Sequence, residues 1–148
     1  MRSAYLFILC VFLVSTAYGG DMFPNKITIK LSNYATHTYI EKDGTIKDSS
    51  YKTKGYFKRD GAVQDDSYRT KGYVDSSGTI KDSSYRTIGY FKDGTIKDSS
   101  YKTIGYIKGG TIQNGSYKTV GYADGLSPND ERFIAAYILI FEPDLLGK

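Results

Sequence analysis

From residue 38 to residue 126 the chain alternates apolar and polar positions in runs of four to six residues, broken by glycine, serine and aspartate. Period-two alternation is the mark of a strand with one buried face. In Tyr90-Phe91-Lys92-Asp93-Gly94-Thr95-Ile96-Lys97 the Asp-Gly pair predicts a two-residue hairpin turn, because both central residues of a type I′ turn need positive φ. That turn sets Lys92 against Thr95, Phe91 against Ile96 and Tyr90 against Lys97. Earlier copies carry one more residue before the glycine. A three-residue loop such as Arg59-Asp60-Gly61, with glycine left-handed, keeps Phe57 opposite Val63 and Tyr56 opposite Gln64. The expected core face then pairs Ile40 with Ile46, Phe57 with Val63, Val74 with Ile80, Phe91 with Ile96 and Ile107 with Ile112, followed by Ala123. Thr53 and Gly55, with their equivalents, are expected on that same face. The opposite face carries tyrosines beside Lys47, Gln64, Lys81, Lys97 and Gln113.

The alternation is itself repeated. Gly-Tyr recurs at Gly55-Tyr56, Gly72-Tyr73, Gly89-Tyr90, Gly105-Tyr106 and Gly121-Tyr122, and Thr38-Tyr39 starts the series. Turn glycines fall at Gly44, Gly61, Gly78, Gly94 and Gly110. A second landmark is Asp-Ser-Ser-Tyr at residues 48–51, 82–85 and 98–101, with variants at 65–68 and 114–117. Such self-similarity predicts one supersecondary unit used five times. A parallel solenoid is the rival arrangement, and the hairpin turns argue against it because solenoid coils do not double back.

The chain changes character after residue 126. Ser127-Pro128-Asn129-Asp130 reads as an N-cap serine, a proline in the first turn and an acid in the first turn. Phe133 to Phe141 is an unbroken apolar run, stopped by Glu142 and Pro143. A helix of about 14 residues is about 21 Å long, too short to span a membrane, and an all-round apolar helix is buried. Phe133, Ile134, Tyr137, Ile138 and Phe141 are therefore expected in the core. A strand over Tyr137–Phe141 is the alternative.

The amino terminus has a charged start, an apolar run from Leu6 to Val14 and small residues from Ser15 to Gly20, the order of a secretory signal. An N-terminal anchor is the competing reading, but the apolar run is short for about 30 Å of hydrocarbon. The expected organisation is a signal over residues 1–19, a lead-in with a first strand over 20–37, five hairpins over 38–126, the helix over 127–142 and a tail over 143–148. The expected location is outside the cell or in a periplasm. Cys10 is the single cysteine, so the mature chain would hold together by packing alone. Losing Arg2 would reduce the net charge from +4 by one. No basic stripe stands out, so nucleic acid is not an expected partner.

These residues resemble the five-fold β-flower family. The resemblance rests on five copies of the type Asp-Gly-Thr-Ile-Lys-Asp-Ser-Ser-Tyr-Lys-Thr-Ile-Gly-Tyr-Ile and on the apolar tail, and covers about residues 38 to 142. It implies an all-β fold with one C-terminal helix: a radial meander of five β-hairpins, a shallow barrel, with the apolar helix at its centre. The outline is similar to the Tubby-like C-terminal domain, a lipid-headgroup binder, but the family supplies no activity. Its members commonly place Asn-Gly at the second turn, where this chain has Ser-Ser-Tyr.

Catalytic inventory is thin. His37 is the one histidine, and is expected at a strand edge or on the surface. Asp48, Asp65, Asp82 and Asp98 read as turn-stabilising residues, in preference to a calcium ring. No enzyme activity, cofactor or metal is expected. Tyr56, Tyr73, Tyr90, Tyr106 and Tyr122 are the candidate ligand-binding residues, with packing between hairpins as the competing role. The expected function is a secreted, monomeric, non-catalytic structural or interaction module. It would bind a lipid or other apolar ligand near the centre of the ring. The alternative is a module for glycans or a surface protein, using the tyrosines.

Overall fold

A computed structural model describes residues 20–147; the signal reading falls on residues 1–19, outside the described part. The strands are β1 (Ile27–Leu31), β2 (Thr36–Ile40), β3 (Thr45–Asp48), β4 (Thr53–Phe57), β5 (Ala62–Asp65), β6 (Thr70–Val74), β7 (Thr79–Asp82), β8 (Thr87–Lys92), β9 (Thr95–Asp98), β10 (Thr103–Lys108), β11 (Thr111–Asn114) and β12 (Thr119–Asp124). Each pairs antiparallel with its neighbours in sequence, and β1 pairs with β12, so the sheet closes into a barrel. Closure removes both exposed edges. The five hairpins account for β2 to β11. The remaining pair joins the lead-in strand to the last half-copy, with Ile29 opposite Ala123.

Hairpin register follows turn chemistry. Ile40 faces Ile46, Phe57 faces Val63, Val74 faces Ile80, Phe91 faces Ile96 and Ile107 faces Ile112. All five pairs are buried, and Ile80 and Ile112, the second members of theirs, have no solvent exposure. Asp93 and Gly94 both have positive φ, as a type I′ turn demands. In the longer turn Gly61 is left-handed at φ 89°. There Lys58 and Ala62 form the closing pair, and Gly61 N–H donates to Lys58 O.

The face assignment needs one correction. The pairing slips once in each of the other turns of the meander: Ile46 faces Gly55, but Lys47 faces Thr53. Lys54 is the extra residue of a β-bulge. The same slip follows Val63 in β5, Ile80 in β7 and Ile112 in β11, and recurs between β9 and β10 and between β1 and β2. A bulge puts two consecutive residues against one partner. Thr53 therefore moves to the tyrosine face, and Lys54 turns inward with Gly55. Ile80 and Ile112 stay on the core face, because each slip begins one residue after them; across the bulged turn they face Gly89 and Gly121. The bulge position is filled in turn by His37, Lys54, Lys71, Ile88, Ile104 and Val120; Lys71 is exposed there, and Ile88, Ile104 and Val120 pack against the core.

The C-terminal segment is helical, not a strand. It begins as a single 3-10 turn, Pro128–Asp130, and continues as α1 (Glu131–Phe141). Ser127 precedes the turn but its side chain makes no cap hydrogen bond. Phe133 to Ile138 are all buried, whereas Phe141 is only partly so. Five consecutive residues, Ile134 to Ile138, have no solvent exposure, which covers every direction around a helix. Phe133 packs edge-on against Phe57 and Phe23 near the glycine turns. At the other end Leu139 and Ile140 lie over Gly89 and Gly72, where an added Cβ would come within 2.6 and 2.7 Å of their methyl carbons. The helix thus runs from the glycine-turn rim toward the Ser-Ser-Tyr rim. The core also takes in Phe23, Ile27, Ile29 and Leu146, which alternation within the repeats does not reach.

Candidate functional site

Consecutive antiparallel strands send alternate turns to opposite ends. One rim therefore collects the glycine turns, and the other collects six loops ending in Tyr34, Tyr51, Tyr68, Tyr85, Tyr101 and Tyr117. Each of these tyrosines is left-handed, with φ between 62° and 64°. The loops have the same hydrogen-bond pattern as Arg59-Asp60-Gly61. Tyr51 N–H donates to Asp48 O and Asp48 N–H to Lys52 O, as Gly61 and Lys58 do at the other rim. Tyrosine stands where the opposite rim has glycine.

The strain has local support. Asp48 Oδ1 accepts from the N–H groups of Ser50 and Lys52 at 2.8 and 3.0 Å. Asp65, Asp82, Asp98 and Asn114 repeat this. The repeated acids are thus occupied in holding turns, and no group of three metal-binding side chains occurs among the described residues. Partial burial would push the Asp65 and Asp82 carboxyls up. The backbone N–H groups and the guanidinium of Arg69 or Arg86 outweigh it and hold both below the ordinary value.

Every loop tyrosine lies flat on a strand tyrosine. Tyr34 stacks on Tyr122, Tyr51 on Tyr39, Tyr68 on Tyr56, Tyr85 on Tyr73, Tyr101 on Tyr90 and Tyr117 on Tyr106, with ring centroids 4.3 to 4.7 Å apart. The candidates Tyr56, Tyr73, Tyr90, Tyr106 and Tyr122 are half-buried under their partners. The rings open to solvent are the loop set, at 53 to 66 % exposure. The phenol of each loop partner, by hydrogen bonding, raises the pKa of the strand tyrosine above its ordinary value. Lys52, Arg69, Arg86, Lys102 and Lys118 follow five of the six loop tyrosines and are all exposed. At the first stack Lys26 Nζ donates to Tyr51 OH at 2.8 Å and sits 4.3 Å from the Tyr39 ring centre.

A second polar cluster lies where α1 ends. Tyr137 OH and Thr38 Oγ1 share a hydrogen bond of 2.7 Å, and Lys54 Nζ donates to Tyr137 OH and to Glu142 Oε1 at 3.3 and 2.5 Å. His37 Nε2 is 3.5 Å from the same carboxylate. His37 is a half-buried residue of β2 facing the helix end. Thr38, the residue in the first glycine's place, supplies the hydroxyl that Tyr137 needs inside the core. Tyr137 OH also lies 3.3 Å from Glu142 Oε1, and the cluster ties α1 to β2 and β4.

The family model described as the 5-fold beta-flower protein matches residues 21–90 and 63–134. No curated protein and no solved structure matches the chain.

Proposed function

The chain belongs to the 5-fold beta-flower family, and we propose that it is a non-catalytic module acting outside the cell, whose binding face is the belt of loop tyrosines. One observation carries this reading: six tyrosines are exposed at positive φ on a rim where glycine would close the same turn. A non-glycine residue in that region costs about 1–2 kcal/mol, and an aromatic stack returns about 0.5–1.5 kcal/mol. Folding gains almost nothing from the exchange, so presentation of a rigid ring is the better reason for it.

The ligand class that fits is a polysaccharide. A pyranose offers a C–H face to a flat phenol and hydroxyls to the neighbouring serine and lysine side chains. Identical sites at regular intervals around a rim suit a chain of identical units, whose weak contacts sum through effective concentration. An apolar ligand at the centre of the ring is the weaker reading. Phe133 to Ile138 already cover the apolar core face, and we read α1 as the plug of the barrel. Affinity electrophoresis through gels with embedded polysaccharides tests the proposal. The parent protein should be retarded by at least one polymer, and the Tyr51→Gly, Tyr68→Gly, Tyr85→Gly variant should run as in an empty gel. Equal retardation of a folded variant would overturn it. The extracellular placement is tested by N-terminal sequencing of protein from its own host. A start near Gly20 is expected, and Met1 retained in a membrane fraction would contradict it.

A further inference from the structure

In a chain of near-identical copies, departures from the repeat mark where the copies have different work. One group of departures meets in one place. The bulge position is basic at Lys54 and Lys71 but apolar at Ile88, Ile104 and Val120. The loop acid is Asp in four copies and Asn114 in the fifth, and the serine after it becomes Gly115. Ile88, Ile104, Asn114 and Gly115 meet at a cleft of about 690 Å³ on the tyrosine rim, between β8, β10 and the chain end. Its walls include Ile88, Ile104, Leu139 and Leu146, and its mouth has Lys102 and Ser116. The volume falls within the range of small-molecule sites, and apolar side chains share the lining about equally with polar groups.

We propose that this cleft binds a single-chain fatty acid, the chain along the isoleucine and leucine wall and the carboxylate at Lys102. Charge supports the orientation. Arg69 and Arg86, the equivalents of Lys102 in two other loops, are committed to Asp65 and Asp82 at 2.9 and 2.8 Å. Lys102 makes no ion pair among the described residues; Asp98 also lines the cleft and keeps its charge, with its Oδ1 turned to the N–H groups of Ser100 and Lys102. The Asn114 side chain removes the second negative charge that a regular copy would bring. Gly115 removes a side chain from the mouth, and a Cβ there would find ordinary contact distances, none below 3.4 Å.

Isothermal titration of the purified protein with laurate, and with dodecanol as the uncharged analogue, tests the site. One laurate per chain is expected. Lys102→Gln should weaken laurate about tenfold, the order of one charge-assisted hydrogen bond, and leave dodecanol unchanged. Ile104→Lys restores the residue type that β4 and β6 already carry, so the fold should tolerate it, and laurate binding should fall at least as far. Gly115→Leu should block the mouth. The Tyr51→Gly, Tyr68→Gly, Tyr85→Gly variant should bind laurate like the parent, which separates this site from the polysaccharide belt. Absence of saturable binding, more than one laurate per chain, or parent-like affinity in folded Ile104→Lys and Gly115→Leu would overturn the proposal.

Discussion

Replacing one loop tyrosine by glycine and by alanine separates strain from stacking. Tyr85 has φ 62°, lies 4.4 Å from Tyr73 between ring centres, and is 64 % exposed. Both substitutions lose the stack, about 0.5–1.5 kcal/mol. Glycine also relieves the left-handed strain, about 1–2 kcal/mol, but adds backbone freedom to the unfolded chain worth about 0.5–1 kcal/mol. Tyr85→Gly should therefore lie within about 1 kcal/mol of the parent. Alanine keeps most of the strain, so Tyr85→Ala should be less stable than Tyr85→Gly by roughly 0.5–1 kcal/mol. Urea unfolding followed by circular dichroism resolves such a difference when the slopes agree. If alanine proved equal to glycine or more stable than it, the left-handed positions would not be strained, and the case for tyrosine as a presented group would lose its footing.

The remaining expectations concern packing and charge. Gly89→Ala sets a Cβ 2.6 Å from both Lys97 O and Leu139 Cδ1, and should cost about 1–3 kcal/mol in denaturant titration. Gly109→Asp copies Asp93 at a left-handed site with nothing within 4 Å, and should cost no more than about 1 kcal/mol, the left-handed strain less the backbone freedom that glycine adds to the unfolded chain. Deleting residues 128–148 removes α1, in which each large buried side chain is worth about 1.5–3 kcal/mol against a typical total of about 5–15 kcal/mol. The truncated chain should unfold or aggregate, and a monomer with a cooperative melt near the parent's would refute the plug. Burial opposes ionisation of Glu142, but its hydrogen bond and ion pair with Lys54 outweigh this and depress its pKa. The pair's contribution is therefore present above the ordinary glutamate value of 4.5 and lost as pH falls through the lowered value. Burial likewise opposes the charge on Lys54, and the bond to Glu142 prevails, so the same contribution is lost only as pH rises past the ordinary lysine value of 10.5. Glu142→Gln should flatten the acid limb of stability against pH by this share, leaving the part due to Asp65, Asp75 and Asp82, whose pKa values are also lowered.

Hairpin register was legible because turn type determines it: Asp93-Gly94 admits one pairing, and Phe91 falls opposite Ile96. The longer turns before Gly61 and Gly78 keep the same logic, so Val63 and Ile80 were placed in the core by the loop length alone. The bulge was harder to read, because no residue type is reserved for it. Its trace lay in Ile88, Ile104 and Val120, apolar at positions that strict alternation assigns to the tyrosine face. A slip of one residue at Thr-x-Gly is what turns them inward. Ring closure left a trace too: Ser32-Asn33-Tyr34 is a degenerate loop copy, and Tyr34 precedes Tyr51 by the same 17 residues that separate Tyr51 from Tyr68. The left-handed tyrosines were not legible, since Ser-Ser-Tyr is no signature of positive φ. Only the matching hydrogen-bond pattern at the two rims reveals that tyrosine holds a glycine's place, and with it that the exposed set is the loop tyrosines while the strand tyrosines lie beneath them.

The central claim is that the loop tyrosines meet the ligand. Nuclear magnetic resonance of protein carrying ring-labelled tyrosine, titrated with an oligosaccharide of the polymer that retards it, tests this directly. The rings of Tyr34, Tyr51, Tyr68, Tyr85, Tyr101 and Tyr117 should shift in common, while Tyr137, fully buried beside Thr38, should stay fixed. Shifts absent from the loop rings, or seen only at Tyr137, would contradict the account.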